Sequence, residues 1–162
     1  MKIEQSVVLI KPDGLQRGLV GEIISRFERK GLRLTAIKMT TLSNAQLEDW
    51  YSHHKDKPFF PKLRMFMQRS PVVAMLWEGL ECVNAVRKIT GITKSREAEA
   101  GSIRGDFGMS QQLNLIHASD SVKSAEKERN LIFLDHEVFK YEKDIEVDVY
   151  SDEEREGWSV VR

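Results

Sequence analysis

Three short clusters carry the side chains that could do chemistry. Lys11-Pro12-Asp13-Gly14 follows an apolar run. A lysine at the end of a buried strand projects from a rigid element into a strand-end crevice, where its ammonium can meet a phosphate. A solvated lysine on a turn is the competing reading. In Ser102-Ile103-Arg104-Gly105-Asp106-Phe107, Arg104 stands between small residues. It can present a guanidinium fork to a phosphate or pair with Asp106 to stiffen a turn. The third cluster, Asn114-Leu115-Ile116-His117-Ala118-Ser119-Asp120-Ser121, sets a histidine at the end of an apolar strand, just before a helix start. The helix N-terminus and the Ser and Asp side chains supply donors there. An imidazole with one nitrogen held by an acceptor and the other free can act as a nucleophile at neutral pH. A histidine satisfied beside a helix cap is the blander alternative for His117.

Other chemistries find less support. His117, Ser119 and Asp120 are too close in sequence to converge as a hydrolase triad, and no GxSxG nucleophile elbow occurs. Neither a GxxxxGK[ST] loop nor GxGxxG is present, so any nucleotide is held without the two commonest phosphate cradles. No HxxxH or HExxH spacing supports a histidine metal site. His53 and His54 read as surface residues, His136 has no assigned role, and Trp77 and Phe107 read as core.

The clusters need elements to hold them. Residues 5–10 (QSVVLI) read as a buried strand ended by Pro12 and Gly14. Val20, Ile23, Ile24 and Phe27 recur at helical spacing, with Gly31 placed as a left-handed stop. Residues 32–41 alternate as a second strand. Ser43 and Gln46 form a capping box for a helix through Trp50 and Tyr51. Residues 59–68 read as helix, 71–77 as a buried strand, 83–89 as helix up to Gly91, and 114–116 as a short fourth strand. Asp120 or Ser121 caps a last helix running to about Asn130. An antiparallel sheet with helices on one face, of the split βαβ or ferredoxin-like type, fits this order, and a doubly wound parallel sheet is the alternative.

The chain has 162 residues, a length that suits one domain with a core of its own. Lys+Arg and Asp+Glu are each 25, giving zero formal charge, which argues against a dedicated nucleic-acid module. The charge is unevenly spread: residues 135–162 hold ten acids and four bases, a net −6, so residues 1–134 carry +6. A mildly basic body suits an anionic substrate, and it also suits an ordinary mixed-charge surface beside an acidic tail. Within that tail Ile145, Val147 and Val149 alternate with acids, which permits a short edge strand, and the last dozen residues read as disordered. No apolar run approaches the ~18–20 residues that cross a bilayer. No secretory leader is expected, because the first apolar stretch covers only residues 7–10. Cys82 is the single cysteine, so neither an internal disulfide nor a cysteine zinc site is expected, and a reducing cytoplasm is the natural home.

Together the clusters closely resemble the nucleoside diphosphate kinases. The likeness runs from about residue 5 to 133. It is carried by VLIKPDGLQRGLVGEIISRFERKG, Tyr51, KDKPFFPKL, SPVVAMLWEG, Arg87, Thr93, SIRGDF and NLIHASDSVKSAEKE. The resemblance implies an α/β (α+β) chain of ferredoxin-like βαββαβ fold, with a four-stranded antiparallel sheet and helices on its faces. It implies reversible ping-pong transfer of a γ-phosphoryl group from a nucleoside triphosphate to a nucleoside diphosphate. The carrier would be a phosphohistidine on His117, with Mg2+ on the nucleotide phosphates and no metal ligand from protein side chains. By the same resemblance, Lys11, Tyr51, Arg87, Thr93, Arg104 and Asn114 match positions around the phosphates, ribose and nucleophile. Phe59 matches the aromatic on which the base stacks, with Leu63 beside it, and Ser119 and Glu128 match the supports of the active histidine. A kinase domain over 1–134, an acidic and partly mobile extension over 135–162, a homohexamer or homotetramer and a cytoplasmic location follow as expectations, with no membrane and no dedicated nucleic-acid partner.

Two other readings are a relative that has lost turnover and serves as a nucleotide-binding scaffold, and a nucleic-acid-binding protein. Retention of His117, Lys11 and Arg104 argues against the first, and zero net charge against the second. The chain also departs from the family pattern. The loop over 93–101 (TKSREAEAG) lacks the usual prolines, Leu113 stands where a basic residue is common, and Ala118 where glycine is common.

Overall fold

A computed structural model describes residues 2–156. Val7, Val8, Leu9 and Ile10 are all fully buried. Successive strand residues point to opposite faces, so such a run requires cover on both sides of the sheet. The strand that holds it, β1 (Ile3–Ile10), is central in a four-stranded sheet of order β2-β3-β1-β4. The partners are β2 (Arg33–Thr40), β3 (Val72–Leu80) and β4 (Ile116–Ala118), and every pairing is antiparallel. The sheet is therefore antiparallel and ferredoxin-like, not doubly wound.

Helices pack on both faces rather than on one. On one side Val8, Ile10, Met75 and Trp77 meet Ile23 and Phe27 of α2 (Val20–Arg29) and Val86 of α5 (Cys82–Thr90). On the other, Val7, Leu9 and Leu76 meet Leu47 of α3 (Asn44–Trp50), Met67 of α4 (Phe60–Gln68) and Ile132 of α7 (Val122–Ile132). Two short helices complete the body: α1 (Pro12–Gln16), with proline in its first turn, and α6 (Ile103–Phe107). Gly31 ends α2 at φ +94°, a conformation that favours glycine. The capping box of α3 forms as expected: the Ser43 hydroxyl accepts the Gln46 N–H, and the Gln46 carboxamide accepts the Ser43 N–H. The Ser121 hydroxyl, not Asp120, caps α7 by accepting the Ser124 N–H at 3.1 Å.

The fourth strand begins two residues later than its apolar pattern suggests. Leu115 adopts φ +73°, which breaks the extended path, so His117 lies within β4 rather than after it. The alternating tail is not a strand either. Asp144–Asp148 form a 3-10 turn, and Asp152–Arg155 form the short helix α8 where disorder was expected. The rest of that expected disorder, residues 157–162, lies outside the described residues. The extension follows the outer edge of β2. The Phe139 N–H donates to the Thr35 carbonyl, the Tyr141 hydroxyl to Leu34 and the Lys143 ammonium to Leu32. One backbone N–H and two side chains thus satisfy edge carbonyls that a paired strand would otherwise take, so alternation in the tail does not become a ladder.

Candidate active site

The site forms where β1 ends beside β4. Lys11 caps β1, and its N–H donates to the Leu115 carbonyl at 2.8 Å. Its ammonium donates to Asn114 Oδ1 at 2.7 Å. The Asn114 amide in turn donates to the carbonyls of Thr93 and Gln111, so one buried side chain joins the end of β1 to two loops. Arg104 donates to the carbonyls of Asn114 (3.2 Å), Gly91 (2.8 Å) and Ile116 (2.5 Å). It makes no pair with Asp106, whose carboxylate instead meets Arg26 at 2.6 Å and accepts the Gly101 N–H. Arg104 therefore holds the start of β4 in place, and each terminal nitrogen retains an N–H beyond those bonds.

His117 is partly buried. Its Nε2 lies 3.0 Å from Glu128 Oε1. The other Glu128 oxygen accepts the Ser119 hydroxyl at 2.6 Å, and Ser119 Oγ also accepts the Val7 N–H. This chain of contacts runs from β1 through β4 to α7 and fixes the imidazole plane. With a carboxylate at Nε2, the network assigns the proton to Nε2 and leaves a lone pair on Nδ1. Among the described residues Nδ1 takes part in no hydrogen bond. The Trp50 ring stands edge-on to the imidazole, centroids 5.2 Å apart.

Electrostatics follow from burial. Removal from water pushes the Lys11 ammonium down to about 8; the Arg104 guanidinium adds to the fall and Asp13 opposes it. Burial and the nearby Arg87 lower Arg104 to about 10, again against Asp13. Burial raises the Tyr51 phenol to about 12, with the Glu128 charge adding to the rise, so the phenol is a donor at neutral pH. Asp120 is held below the usual carboxylate range by hydrogen bonds from Ser124 and Ser121 and by Arg87 and His117.

The remaining candidates ring this centre less tightly. Arg87 is exposed on α5, and it acts on both Arg104 and Asp120. Thr93 is exposed and touches the centre through its carbonyl. Phe59 precedes α4 with 44% of its surface exposed and its ring 5.5 Å from that of His54. Leu63, one helical turn on, packs into the second core. Sequence reasoning passed over Trp50 and Asp13. Trp50 adjoins the matched Tyr51 but has no motif of its own, and Asp13 was visible inside the first cluster. A cavity of about 330 Å³ lies beneath the C-terminal extension, beside Lys30, Leu80 and Tyr150, and another of about 170 Å³ lies beside Lys94 and Met109. The site is assigned by its converging polar groups, since neither cavity reaches His117.

The family model described as nucleoside diphosphate kinase matches residues 4–138. The chain is 50% identical over 141 residues to the nucleoside diphosphate kinase of Staphylothermus marinus, covering 87% of this chain and 100% of that one. It is 52% identical over 138 residues to nucleoside diphosphate kinase B of Bos taurus, covering 85% and 91%. Among solved structures, a halophilic nucleoside diphosphate kinase from Halobacterium salinarum in complex with CDP superimposes with a TM-score of 0.89 at 40% identity, covering 92% of this chain and 99% of that one. Sheet order, chain-long identity and family match agree: the chain belongs to the nucleoside diphosphate kinases, enzymes that move the γ-phosphoryl group of a nucleoside triphosphate reversibly to a nucleoside diphosphate.

Proposed function

We propose that His117 is the phosphoryl carrier and that Nδ1 is the attacking atom. The observation that carries this reading is the 3.0 Å contact of Nε2 with Glu128, which leaves Nδ1 as the free nitrogen. In the forward step the Nδ1 lone pair bonds to the γ-phosphorus, the bond to the β–γ bridging oxygen breaks, and the diphosphate leaves with that electron pair. The phosphorylated ring is cationic while Nε2 keeps its proton, and Glu128 offsets that charge. In the return step a terminal oxygen of a second diphosphate attacks phosphorus, and the N–P electron pair returns to Nδ1.

Lys11, Arg87 and Arg104 supply the spread positive charge that phosphoryl transfer needs. Tyr51 and Asn114 serve as donors within the same cleft, and Thr93 lines its rim. Phe59 offers an exposed face on which any base can stack, and Leu63 backs it. Ser119 and Glu128 orient the imidazole. Mg2+ bound to the nucleotide phosphates would neutralise part of their charge. Both oxygens of Glu128 are engaged, by His117 and Ser119, and one oxygen of Asp13 by the Leu115 N–H. Among the described residues no group of three or more potential metal ligands is assembled. That a relative is solved in complex with CDP supports a nucleotide ligand.

The reading extends to the whole chain: a catalytic body over 1–134, an appended and partly mobile acidic extension over 135–162, assembly as a homohexamer or homotetramer, and a cytoplasmic location. Exposed Ile37 and Met39 on β2 and exposed Phe139 and Val147 on the extension support assembly. A single buried thiol suits a reducing compartment. Among the described residues no helix is long and apolar enough to cross a membrane.

The test is direct. Mixed with ATP and Mg2+, the protein should acquire an acid-labile phosphoryl group on His117 and discharge it to GDP. His117→Ala should bind nucleotide but form neither adduct nor GTP. Near-normal exchange by that variant would refute the assignment.

A further inference from the structure

Asp13 is 5% exposed, yet it belongs to no role assigned above. Its Oδ2 accepts the Leu115 N–H at 2.9 Å. Its Oδ1 is buried without a hydrogen-bond partner among the described residues. Leu115 is fully buried at φ +73°, where a side chain crowds its own backbone and an outside contact must hold the conformation. The neighbours of Asp13 grip the same residue. The Lys11 N–H holds the Leu115 carbonyl, and a Cβ on Gly14 would lie 2.9 Å from that carbonyl oxygen. A buried carboxylate with one hydrogen bond needs a further source of stability. Lys11 and Arg104, buried like Asp13, make no direct ion pair with it, but its charge acts on both and favours their charged forms.

We propose that Asp13 is a positioning residue for phosphoryl transfer: one oxygen locks Leu115, two residues ahead of His117, and its charge is the resident counter-ion of the cations Lys11 and Arg104. The inference rests on the reading of His117 as carrier and of those cations as phosphate ligands. The two functions separate chemically. An asparagine keeps an acceptor for the Leu115 N–H but loses the charge, and an alanine loses both. Around Lys11 the charged groups are Asp13 on α1 and Arg104 on α6, with Arg87 of α5 acting on Arg104. His117 stands opposite Leu9 on the neighbouring strand. With Asp13 neutralised, burial and Arg104 act on the ammonium unopposed, so Lys11 gives up its proton at lower pH.

The experiment measures the rate of His117 phosphorylation by Mg-ATP across pH 6–10 in the full chain. Asp13→Asn should move the alkaline fall of the profile toward neutral pH by about half a unit or more. Asp13→Ala should in addition slow phosphorylation about tenfold or more at every pH, because the histidine strand loses its anchor. An alkaline limb in Asp13→Asn that superimposes on the wild type overturns the proposal, as does a wild-type rate in Asp13→Ala. If Asp13→Ala does not fold, as judged by circular dichroism, the limb of Asp13→Asn decides alone. Exchange by the wild type without a His117 adduct would instead overturn the underlying site reading.

Discussion

Lys11 shows how the site works against the fold that holds it. Its ammonium is lowered from an ordinary 10.5 to about 8 by burial first and by Arg104 second. Below pH 8 both folded and unfolded chains hold this proton, and the folded state bears the full burden of a buried cation. Between pH 8 and 10.5 the unfolded chain binds the extra proton, so stability rises with pH through that window. The shift corresponds to about 3 kcal/mol, less about 1 for the Asn114 bond that the ammonium makes. Lys11→Met should abolish exchange and, relative to the wild type, lose up to about 3 kcal/mol of unfolding free energy as pH rises from 8 to 10, because only the wild type sheds a buried charge over that window. A stability difference independent of pH in urea unfolding would contradict the burial account. Phe59 is governed by contact area instead. Its exposed ring has little to do in the folded chain alone, so Phe59→Ala should leave stability within about 0.5 kcal/mol. It should weaken nucleotide binding by about 1–3 kcal/mol for purines and pyrimidines alike; calorimetry showing a loss for purines alone would contradict stacking. Lys11 was legible at a strand end, whereas Phe59 drew notice only through the family resemblance, in a helix read over 59–68 that begins at Phe60. What could not be read was the partner of each donor: the Arg104–Asp106 pair, one of two readings of that cluster, gives way to three backbone carbonyls and an Arg26–Asp106 pair, since side-chain choice among nearby acceptors depends on tertiary placement.

At the scale of elements, the site depends on a strand of three residues, Ile116–Ala118, too short to be held by its own ladder. Arg104 compensates by tying Gly91, at the end of α5, to Asn114 and Ile116 on either side of Leu115. A lysine carries its donors on one atom and cannot span three carbonyls. Arg104→Lys should lower unfolding free energy by about 2–4 kcal/mol, given about 1.5–3 kcal/mol for each hydrogen bond to a charged group and partial replacement. Exchange should fall with it as His117 loses its register. A urea midpoint equal to the wild type's would show that β4 is held by other means. The same dependence explains a misplaced boundary. Hydrophobic pattern locates a strand by its apolar residues, and residues 114–116 carry them, but a left-handed leucine has no signature in composition. Elements with chemical stops were read closely: α2 ends at Gly31 and α3 begins at its capping box. The proline-poor loop over 93–101 was legible only as a departure. It is fixed by other means, the Ser102 hydroxyl donating to the Glu99 carbonyl at 2.6 Å and Asp106 accepting the Gly101 N–H.

For the molecule as a whole, the sheet order separates catalysis from the extension. β4, which carries His117, is one edge of the sheet, and β2, which the extension follows, is the other. The charge imbalance seen in the sequence becomes local pairing there, Glu137 with Lys38 at 2.7 Å and Glu146 with Arg33 at 2.5 Å. These pairs contribute little singly; the hydrogen bonds to the β2 edge and the Val149 packing on Gly31 contribute more. Removing residues 139–162 should lower unfolding free energy by about 1.5–4.5 kcal/mol, at about 0.5–1.5 kcal/mol for each of the three hydrogen bonds lost to the Leu32, Leu34 and Thr35 carbonyls. It should leave the rate of His117 phosphorylation within about twofold, because distant sites with no shared partners act independently. The uncovered strand would present free carbonyls beside exposed Ile37 and Met39, a template for pairing with another chain. Sedimentation velocity should therefore show concentration-dependent species absent from the full-length protein. A truncated chain with an unchanged urea midpoint would mean that the extension rests on the edge without supporting it, whereas lost phosphorylation in a folded truncation would mean that the two edges communicate through the sheet.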